Sequence, residues 1–276
     1  MKFRAIFSVL ALFVIVFAIG ASAQQTITIA YDANGNTLSS GSNTYTYDSE
    51  NHLIAMNGSA AKLVYNGDDI LVSKTVNGVT TQYLIDDQNP TGLQQVMEEI
   101  VNGVVQRSYT YGHKRISQTL YMNNQSVTSY YGYDGQGNVR QLMNAAGVVT
   151  DTYDYDAFGN LMHHTGTTSD HFLYRGEFYD TDLSLYYLRA RWYNPATGRF
   201  MSRDPEPGKP QDPASLHKYL YAKGDPVNGL DTTGKAGLVE NEEIEVKEDV
   251  EVKVARCLEE KAACILKCTA DVLEVP

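Results

Sequence analysis

The sequence predicts a mainly β protein: a curved antiparallel sheet of repeated hairpins, followed by a short C-terminal helix. A Tyr-Asp phrase that leads into a turn recurs between Tyr31 and Asn160. Side chains around these phrases alternate at the two-residue period of a strand and show almost no helical period. Repetition of one phrase at short intervals indicates one supersecondary unit copied several times.

Each copy of the phrase has the features of a hairpin. Its Asp carboxylate can accept backbone hydrogen bonds in a turn, and the Gly-Asn that follows in several copies tolerates positive φ. Between copies, Asn77-Gly78 and Asn102-Gly103 are typical of a second, two-residue turn. The copies are YDANGN at Tyr31, YTYDSEN from Tyr45, YYGYDGQGN from Tyr130 and YDYDAFGN from Tyr153, with weaker copies at Tyr65 and Tyr109.

These hairpins define a predicted YD-repeat region, residues 24–171. We interpret most of the 20 tyrosines as rings that stack across neighbouring strands in a core. The alternative is a stacking platform for sugars, which needs exposed and aligned rings. Residues 94–100 depart from the strand pattern and fit a short helix or an irregular strand.

Residues 1–23 have the features of a secretory signal peptide. Lys2 and Arg4 precede an apolar run at residues 5–19, and Ala21-Ser22-Ala23 is a small-residue cleavage site. Cleavage after Ala23 leaves a protein that is secreted to the extracellular space or the periplasm, with no membrane span. The alternative is a retained anchor, although the apolar run is short for a spanning helix.

Composition narrows the class of partner. The net charge of −11 argues against nucleic acid, because binding to phosphates is driven by positive charge. Residues 24–171 contain no Cys, so strand pairing rather than disulfides has to hold this region. His163, His164 and His171 lack Cys or carboxylate partners at metal-binding spacings. We therefore predict no metal site and no cofactor.

From residue 172 the pattern changes. Residues 186–193 alternate as one strand, residues 194–198 (NPATG) form a turn, and Arg199-Phe200 begins a return strand. Arginines interleave with aromatic residues here, but in an acidic chain internal Arg-Asp pairing is favoured over a nucleic-acid surface. These arginines are Arg189, Arg191, Arg199 and Arg203.

The chain resembles the RHS/YD-repeat family, and residues 172–234 resemble its RHS repeat-associated core domain. The resemblance rests on Gly176, Tyr179-Asp180, Leu185-Tyr186-Tyr187, Arg191-Trp192-Tyr193, Pro195, Gly198-Arg199-Phe200, Asp204-Pro205 and the KYLYAKGDPVNGLDTTG run at residues 218–234. The chain departs from the family pattern at Leu183-Ser184 (Thr-Gly in the family), Asp225-Pro226 (Asn-Pro) and residues 231–235, DTTGK (Asp-Pro-x-Gly-Leu).

The resemblance implies a β-sheet wound into a shell, a core domain that plugs one end, and a variable C-terminal segment, here residues 235–276. In many members that segment is a toxin released by self-cleavage. Secretion and polymorphic-toxin or cell-contact biology are implied, with residues 26–234 as a scaffold. This chain has few repeats, so we expect an open sheet whose edges can pair with another chain.

The resemblance also implies a candidate site for self-cleavage of the aspartyl-protease kind. Two carboxylates held close together share one proton, so one of them can act as a base on water. Asp204 and Asp231 match the two motif positions by order, and Arg203 is a neighbouring cation. The cut is expected near Gly234-Lys235 or after Leu238. The alternative is that both Asp residues are turn caps.

The tail divides into a charged stretch and a predicted helix. Residues 241–254 (NEEIEVKEDVEVKV) fit a strand or a linker. A helix over residues 254–273 places Cys257, Cys264 and Cys268 on one stripe, where disulfide geometry hinders pairing among them. We expect intermolecular disulfides, attachment to a partner, or an apolar stripe that packs on a partner surface.

Together these observations predict a secreted, non-catalytic scaffold or interaction protein, a short toxin-delivery module. The alternatives are an autoprotease that acts once on its own chain and a carbohydrate-binding protein that uses exposed tyrosines. The expected partner is a protein or a second copy, held through a sheet edge or the cysteine helix.

Overall fold

The computed structural model describes residues 28–235 and, for the backbone alone, residues 238 and 239. The predicted signal peptide, the charged stretch and the cysteine helix lie outside the described residues. The described chain is mainly β, with three short 3-10 helices, Tyr174–Gly176, Pro213–Leu216 and Tyr221–Gly224. No helix in the described part of the chain is long and apolar enough to cross a membrane.

Fourteen strands form one antiparallel sheet in which each strand pairs with the next in the chain. The predicted sheet of hairpins is confirmed. In the segment 94–100, the residues from Gln95 onward belong to a strand, β8, with a register shift between Glu99 and Ile100. The strands are β1 (Ile29–Tyr31), β2 (Thr37–Ser40), β3 (Asn43–Tyr47), β4 (Leu53–Met56), β5 (Ala61–Tyr65), β6 (Leu71–Val76), β7 (Val79–Asp86), β8 (Gln95–Val101), β9 (Val104–Tyr111), β10 (Arg115–Met122), β11 (Gln125–Tyr133), β12 (Val139–Met143), β13 (Val149–Tyr155) and β14 (Leu161–Thr165).

A second sheet of four short strands follows, and it corrects one prediction. Residues 186–193 are not one strand, because the chain reverses at Arg189-Ala190, where Leu188 pairs with Arg191. Arg189 has φ 57°, a conformation that a non-glycine residue keeps only where its surroundings support it. The predicted return strand at Arg199 is confirmed. The strands are β15 (Phe178–Asp180), β16 (Leu185–Leu188), β17 (Arg191–Asn194) and β18 (Arg199–Phe200).

Two hydrophobic clusters join the sheets. The first packs strands β3 to β9 against residues such as Phe178 and Trp192, and the second packs β11 to β13 against residues such as Tyr186 and Tyr193. We call the face of the large sheet that makes these contacts its inner face. Nine tyrosines are buried, in agreement with the interpretation that this residue type supplies core rings: Tyr45, Tyr83, Tyr109, Tyr131, Tyr153, Tyr174, Tyr186, Tyr193 and Tyr221.

Between the two sheets the chain crosses the polar part of the inner face. Arg107 and Gln118 donate hydrogen bonds to the Ser169 carbonyl at 2.9 and 3.1 Å. His171 bonds Glu99 at 2.9 Å. Burial alone raises the pKa of Glu99, but the bond and charge of His171 and the charge of Arg107 outweigh it and lower the pKa to about 2. Ionised side chains therefore hold this crossing segment.

The connections of the large sheet lie in two sets at opposite ends. Those that follow odd-numbered strands include the Tyr-Asp turns and lie beside the second sheet, and we call this the covered end. Those that follow even-numbered strands include the Asn-Gly turns, and we call this the free end. A Cβ added to Gly159 at the covered end lies 2.6 Å from Tyr174, whereas one added to Gly78 at the free end has nothing within 4 Å.

Candidate functional site

The two predicted carboxylates, Asp204 and Asp231, meet at one guanidinium group. Arg191 Nη2 lies 2.8 Å from Asp204 Oδ2 and 3.3 Å from Asp231 Oδ2. Arg191 begins β17, Asp204 lies beyond β18, and Asp231 follows β19 (Gly229–Leu230), which pairs with β20 (Leu238–Val239). Three strand ends from the last third of the described chain therefore supply the cluster.

The cluster is largely buried, with Asp231 only 1% exposed. The Arg191 guanidinium carbon lies 3.6 Å from the centroid of the Phe200 ring. Burial raises the pKa of Asp231 to about 6, although the Arg191 charge and a bond from the Gly234 backbone oppose it. Burial also lowers the pKa of Arg191, against the effect of the two carboxylates. Asp231 therefore takes up a proton in mildly acidic solution.

This cluster binds the backbone of residues 231–235, which we call the closing phrase. Gly234 N donates to Asp231 Oδ1 at 2.8 Å, and Arg191 Nε donates to the Gly234 carbonyl oxygen. Gly234 has φ 70°, and a Cβ added there lies 2.2 Å from the Leu188 carbonyl oxygen. Arg191 therefore contacts both carboxylates and the carbonyl of the Gly234–Lys235 peptide bond.

The turn between β16 and β17 is held by the same closing phrase. Arg189 pairs with Glu177 at 3.1 Å and donates to the Thr232 carbonyl. Ala190 N donates to the Thr233 carbonyl at 3.2 Å. These contacts support the positive φ of Arg189, so the reversal of the chain at this turn depends on residues more than 40 positions later in the sequence.

Arg203, the third predicted site residue, lies outside this cluster. It is exposed, and its Cβ lies 3.1 Å from a Cβ added to Gly35 in the first hairpin. The cation between the two carboxylates is Arg191. The sequence predicted that arginines such as Arg191 pair with internal Asp residues in this acidic chain. That prediction did not identify which carboxylates Arg191 contacts.

One group of metal-binding residue types is present among the described residues. Ligand atoms of Asp48, Glu50 and His52 lie within 4.8 Å of one another. Asp48 Oδ1 accepts hydrogen bonds from the backbone N of Glu50 and of His52, both at 2.9 Å, so formation of the hairpin turn accounts for the group. His163 and His164 are exposed on β14.

Most of the chain matches a known family and several known proteins. A family model described as Teneurin YD-shell matches residues 21–227. The tRNA3(Ser)-specific nuclease WapA of Bacillus spizizenii is 34% identical over 214 residues, and the tRNA nuclease WapA of Bacillus subtilis is 33% identical over 214 residues. Each alignment covers 75% of this chain and 9% of the relative, so the chain spans less than a tenth of these proteins.

Solved structures share the fold at low sequence identity. A crystal structure of TcdB2-TccC3 superposes with a TM-score of 0.56 and 18% identity, over 74% of this chain and 11% of that chain. A Photorhabdus luminescens Tc holotoxin pore with a TccC3 mutation gives a TM-score of 0.58 and 17% identity, over 74% of this chain and 10% of that chain. The likeness concerns the fold, and it agrees with the YD-repeat hairpins.

Proposed function

This chain belongs to the Teneurin YD-shell family, and we propose that it is a toxin-related scaffold of that family. Its curved sheet holds the core domain, residues 172–234, across the covered end and carries the tail, residues 235–276, from that domain. The scaffold is secreted by means of the signal peptide at residues 1–23. Its role is to hold and present a segment rather than to catalyse a multiple-turnover reaction.

The observation that carries this proposal is a bridge between the first and last hairpins. Thr37 N donates to the Met201 carbonyl at 2.8 Å, and Asn160 Nδ2 donates to the Pro195 carbonyl at 2.9 Å. Strands β1 and β14 have no pairing with each other in the described sheet. The β17–β18 hairpin and its flanks therefore join the two sides of an open sheet, as a scaffold with one fixed curvature requires.

The relatives support the toxin-related part of the proposal. The WapA proteins are named as tRNA nucleases, and the TccC3 chain belongs to a Tc holotoxin. The nuclease activity of these relatives does not extend to the proposal, because this chain covers 9% of those proteins and its net charge of −11 opposes binding to polyphosphates.

The edge strand β14 of the large sheet offers a direct test of the scaffold. Every residue of β14 is exposed, and such edges pair readily with other chains. We expect light scattering to give a mass above that of one chain. Met162→Lys, at a residue that is 69% exposed, should return the mass to one chain, because edge charges block strand pairing. The matched control, Val64→Lys on the interior strand β5, should keep the assembly, and a wild-type monomer would contradict self-association.

Self-cleavage is a second candidate function, and the Arg191 cluster favours it. Arg191 contacts both carboxylates and the carbonyl oxygen of Gly234. In such a site Asp204 removes a proton from water as the water oxygen attacks the Gly234 carbonyl carbon. Arg191 stabilises the oxyanion. Protonated Asp231 then gives its proton to the Lys235 nitrogen as the carbon–nitrogen bond breaks.

Intact-mass spectrometry tests this second function. The expected wild-type product ends between residues 234 and 238, and Asp204→Asn and Asp231→Asn remain uncut. Asp212→Asn is the matched control, since Asp212 pairs with Lys223 outside the cluster and should leave cleavage unchanged. One uncut mass for all four proteins overturns self-cleavage and leaves the scaffold proposal intact.

Carbohydrate binding stays a prediction, with no observation that favours it among the described tyrosines. Tyr31, Tyr121 and Tyr130 are exposed at 39%, 40% and 38%. Tyr121 lies opposite Ser126 and Tyr130 lies opposite Ser117, so the two rings on neighbouring strands are not directly opposed. A glycan panel read by tyrosine fluorescence would test this alternative.

A further inference from the structure

An open cleft of about 630 Å³ lies beside the first hairpin. It contains Arg203, which the carboxylate cluster does not use. Its lining includes His217 and five further basic or aromatic residues, which we call the basic cleft: Arg199, Arg203, Lys218, Tyr31 and Tyr219. The two tyrosine rings are in contact, with centroids 5.3 Å apart.

The cleft carries positive charge that its surroundings do not neutralise. Arg189 and Arg191 both have carboxylate partners, whereas Arg199 and Arg203 pair with no carboxylate among residues 28–235. The one acid in the lining, Asp32, accepts hydrogen bonds from Asn36 N at 2.7 Å and Asn36 Nδ2 at 2.9 Å. The Asp32 carboxylate therefore forms its hydrogen bonds within its own turn and pairs with neither arginine. The cleft can accept an anionic ligand.

The chain itself contains a complementary segment. Residues 240–251, the acidic segment, have seven carboxylates and one lysine in ENEEIEVKEDVE. In a protein with net charge −11, such a segment is repelled by most of the surface. The basic cleft, with its two unpaired arginines, is a region of positive electrostatic potential on this otherwise negative protein.

The acidic segment also begins close enough to reach the cleft. Val239 pairs with Gly229, and a Cβ added to Gly229 lies 3.0 Å from Ala222 Cβ. Ala222 is three residues from Tyr219 of the cleft. Three residues span at most about 11 Å, so the segment starts within roughly 20 Å of the cleft, a distance that about six extended residues cover.

We propose that the acidic segment docks in the basic cleft of its own chain, with its carboxylates on Arg199 and Arg203. Single exposed ion pairs contribute little, but the short tether keeps the segment at a high effective concentration. The contact retains the tail at the covered end and occupies the cleft against external anions. It rests on charge and on the geometry of the uncut chain, so it does not require self-cleavage.

The test is the rate at which a glutamate-specific protease cuts the acidic segment of the intact chain, read by mass spectrometry. We expect Arg199→Gln with Arg203→Gln to raise that rate about three- to tenfold, because two ion pairs are lost. High salt should raise the wild-type rate in the same way, because it screens exposed charges. Equal rates in the wild type and the double variant overturn the proposal.

Two further variants keep the test decisive. Lys62→Gln with Arg140→Gln removes the same charge outside the cleft and should leave the rate unchanged. Should the cleft variant unfold, neutralising Glu242, Glu243 and Glu245 as Gln leaves the scaffold intact, and cutting at Glu248 and Glu251 should accelerate similarly. Protection that disappears on dilution places the segment of a second copy in the cleft and overturns docking within one chain.

Discussion

The two ends of the large sheet are built from one repeat, yet different interactions determine their conformations. At the free end, Asn123 and Asn124 have φ 51° and 62°, the positive values of a two-residue type I′ hairpin. At the covered end, Asn138 donates to Asp134 within its own turn and accepts a hydrogen bond from Arg175 N at 2.9 Å. Free-end turns are local structures, whereas covered-end turns are also tertiary contacts.

The difference explains where this scaffold tolerates change. A free-end turn needs only residues that adopt positive φ. Substitution there therefore destabilises the fold only through strain of the backbone conformation. A covered-end turn must also match the shape and the hydrogen bonds of the second sheet. Substitutions at equivalent positions of the two ends should therefore have unequal effects on stability.

The largest contrast is expected from alanine at matched glycines. Gly159 and Gly78 have φ 90° and 80°, so both variants lose the freedom of glycine at a cost of about 1–2 kcal/mol. Gly159→Ala also forces a methyl group to within 2.6 Å of the Tyr174 ring, which adds about 1–3 kcal/mol. Urea unfolding measures both free energies, and equal losses would remove the distinction between the ends.

A pH dependence should distinguish the closing phrase from the exposed surface. The Asp231 pKa rises from 3.8 to about 6 on folding, so between these values the folded state binds more protons than the unfolded state. Stability therefore falls as pH rises through this window, by about 3 kcal/mol in total. Asp231→Asn should lose this slope in a series of unfolding curves, and Asp87→Asn at an exposed position should keep it. An unchanged slope in Asp231→Asn would refute the assignment.

Asparagines of the two ends give a smaller contrast. Asn138 is 5% exposed, and Asn138→Ala removes the side-chain partner of Arg175 N and of Asp134 Oδ2, at a cost of about 2–3 kcal/mol. Asn144 is a capping residue of a free-end turn that accepts from Ala146 N and Val148 N, and Asn144→Ala should cost about 1 kcal/mol. Denaturant midpoints compare the two, and a larger loss for Asn144→Ala would reverse the expected order.

The smallest effect is a gain at the free end. Asn124 has φ 62° and occupies the second position of the turn, where glycine is preferred. Asn124→Gly should stabilise the protein by roughly 0.5 kcal/mol, because it removes the strain of a side chain at positive φ. The thermal midpoint should rise by a degree or two, and a fall would show that Asn124 has a role beyond its turn.

The repeated phrases predicted the hairpins because their determinants are local. Asp134 Oδ1 accepts from Asn138 N four residues later, and Asn77-Gly78 needs only its own positive φ values. Such interactions are visible in a short window of sequence. The antiparallel order of the fourteen strands follows from the same hairpins, since each one places its strands side by side.

The sequence by itself determined the YD-repeat hairpins and the family, and it predicted Asp204 and Asp231 as the two carboxylates of the candidate site. Only the tertiary structure decided that the chain reverses at Arg189, that Arg191 joins Asp204 to Asp231, and that Arg203 lies in a separate cleft. The physical reason is the distance along the chain between partners. The Arg189 turn is held by Thr232, and no local pattern of residues specifies contacts between groups so far apart in the sequence.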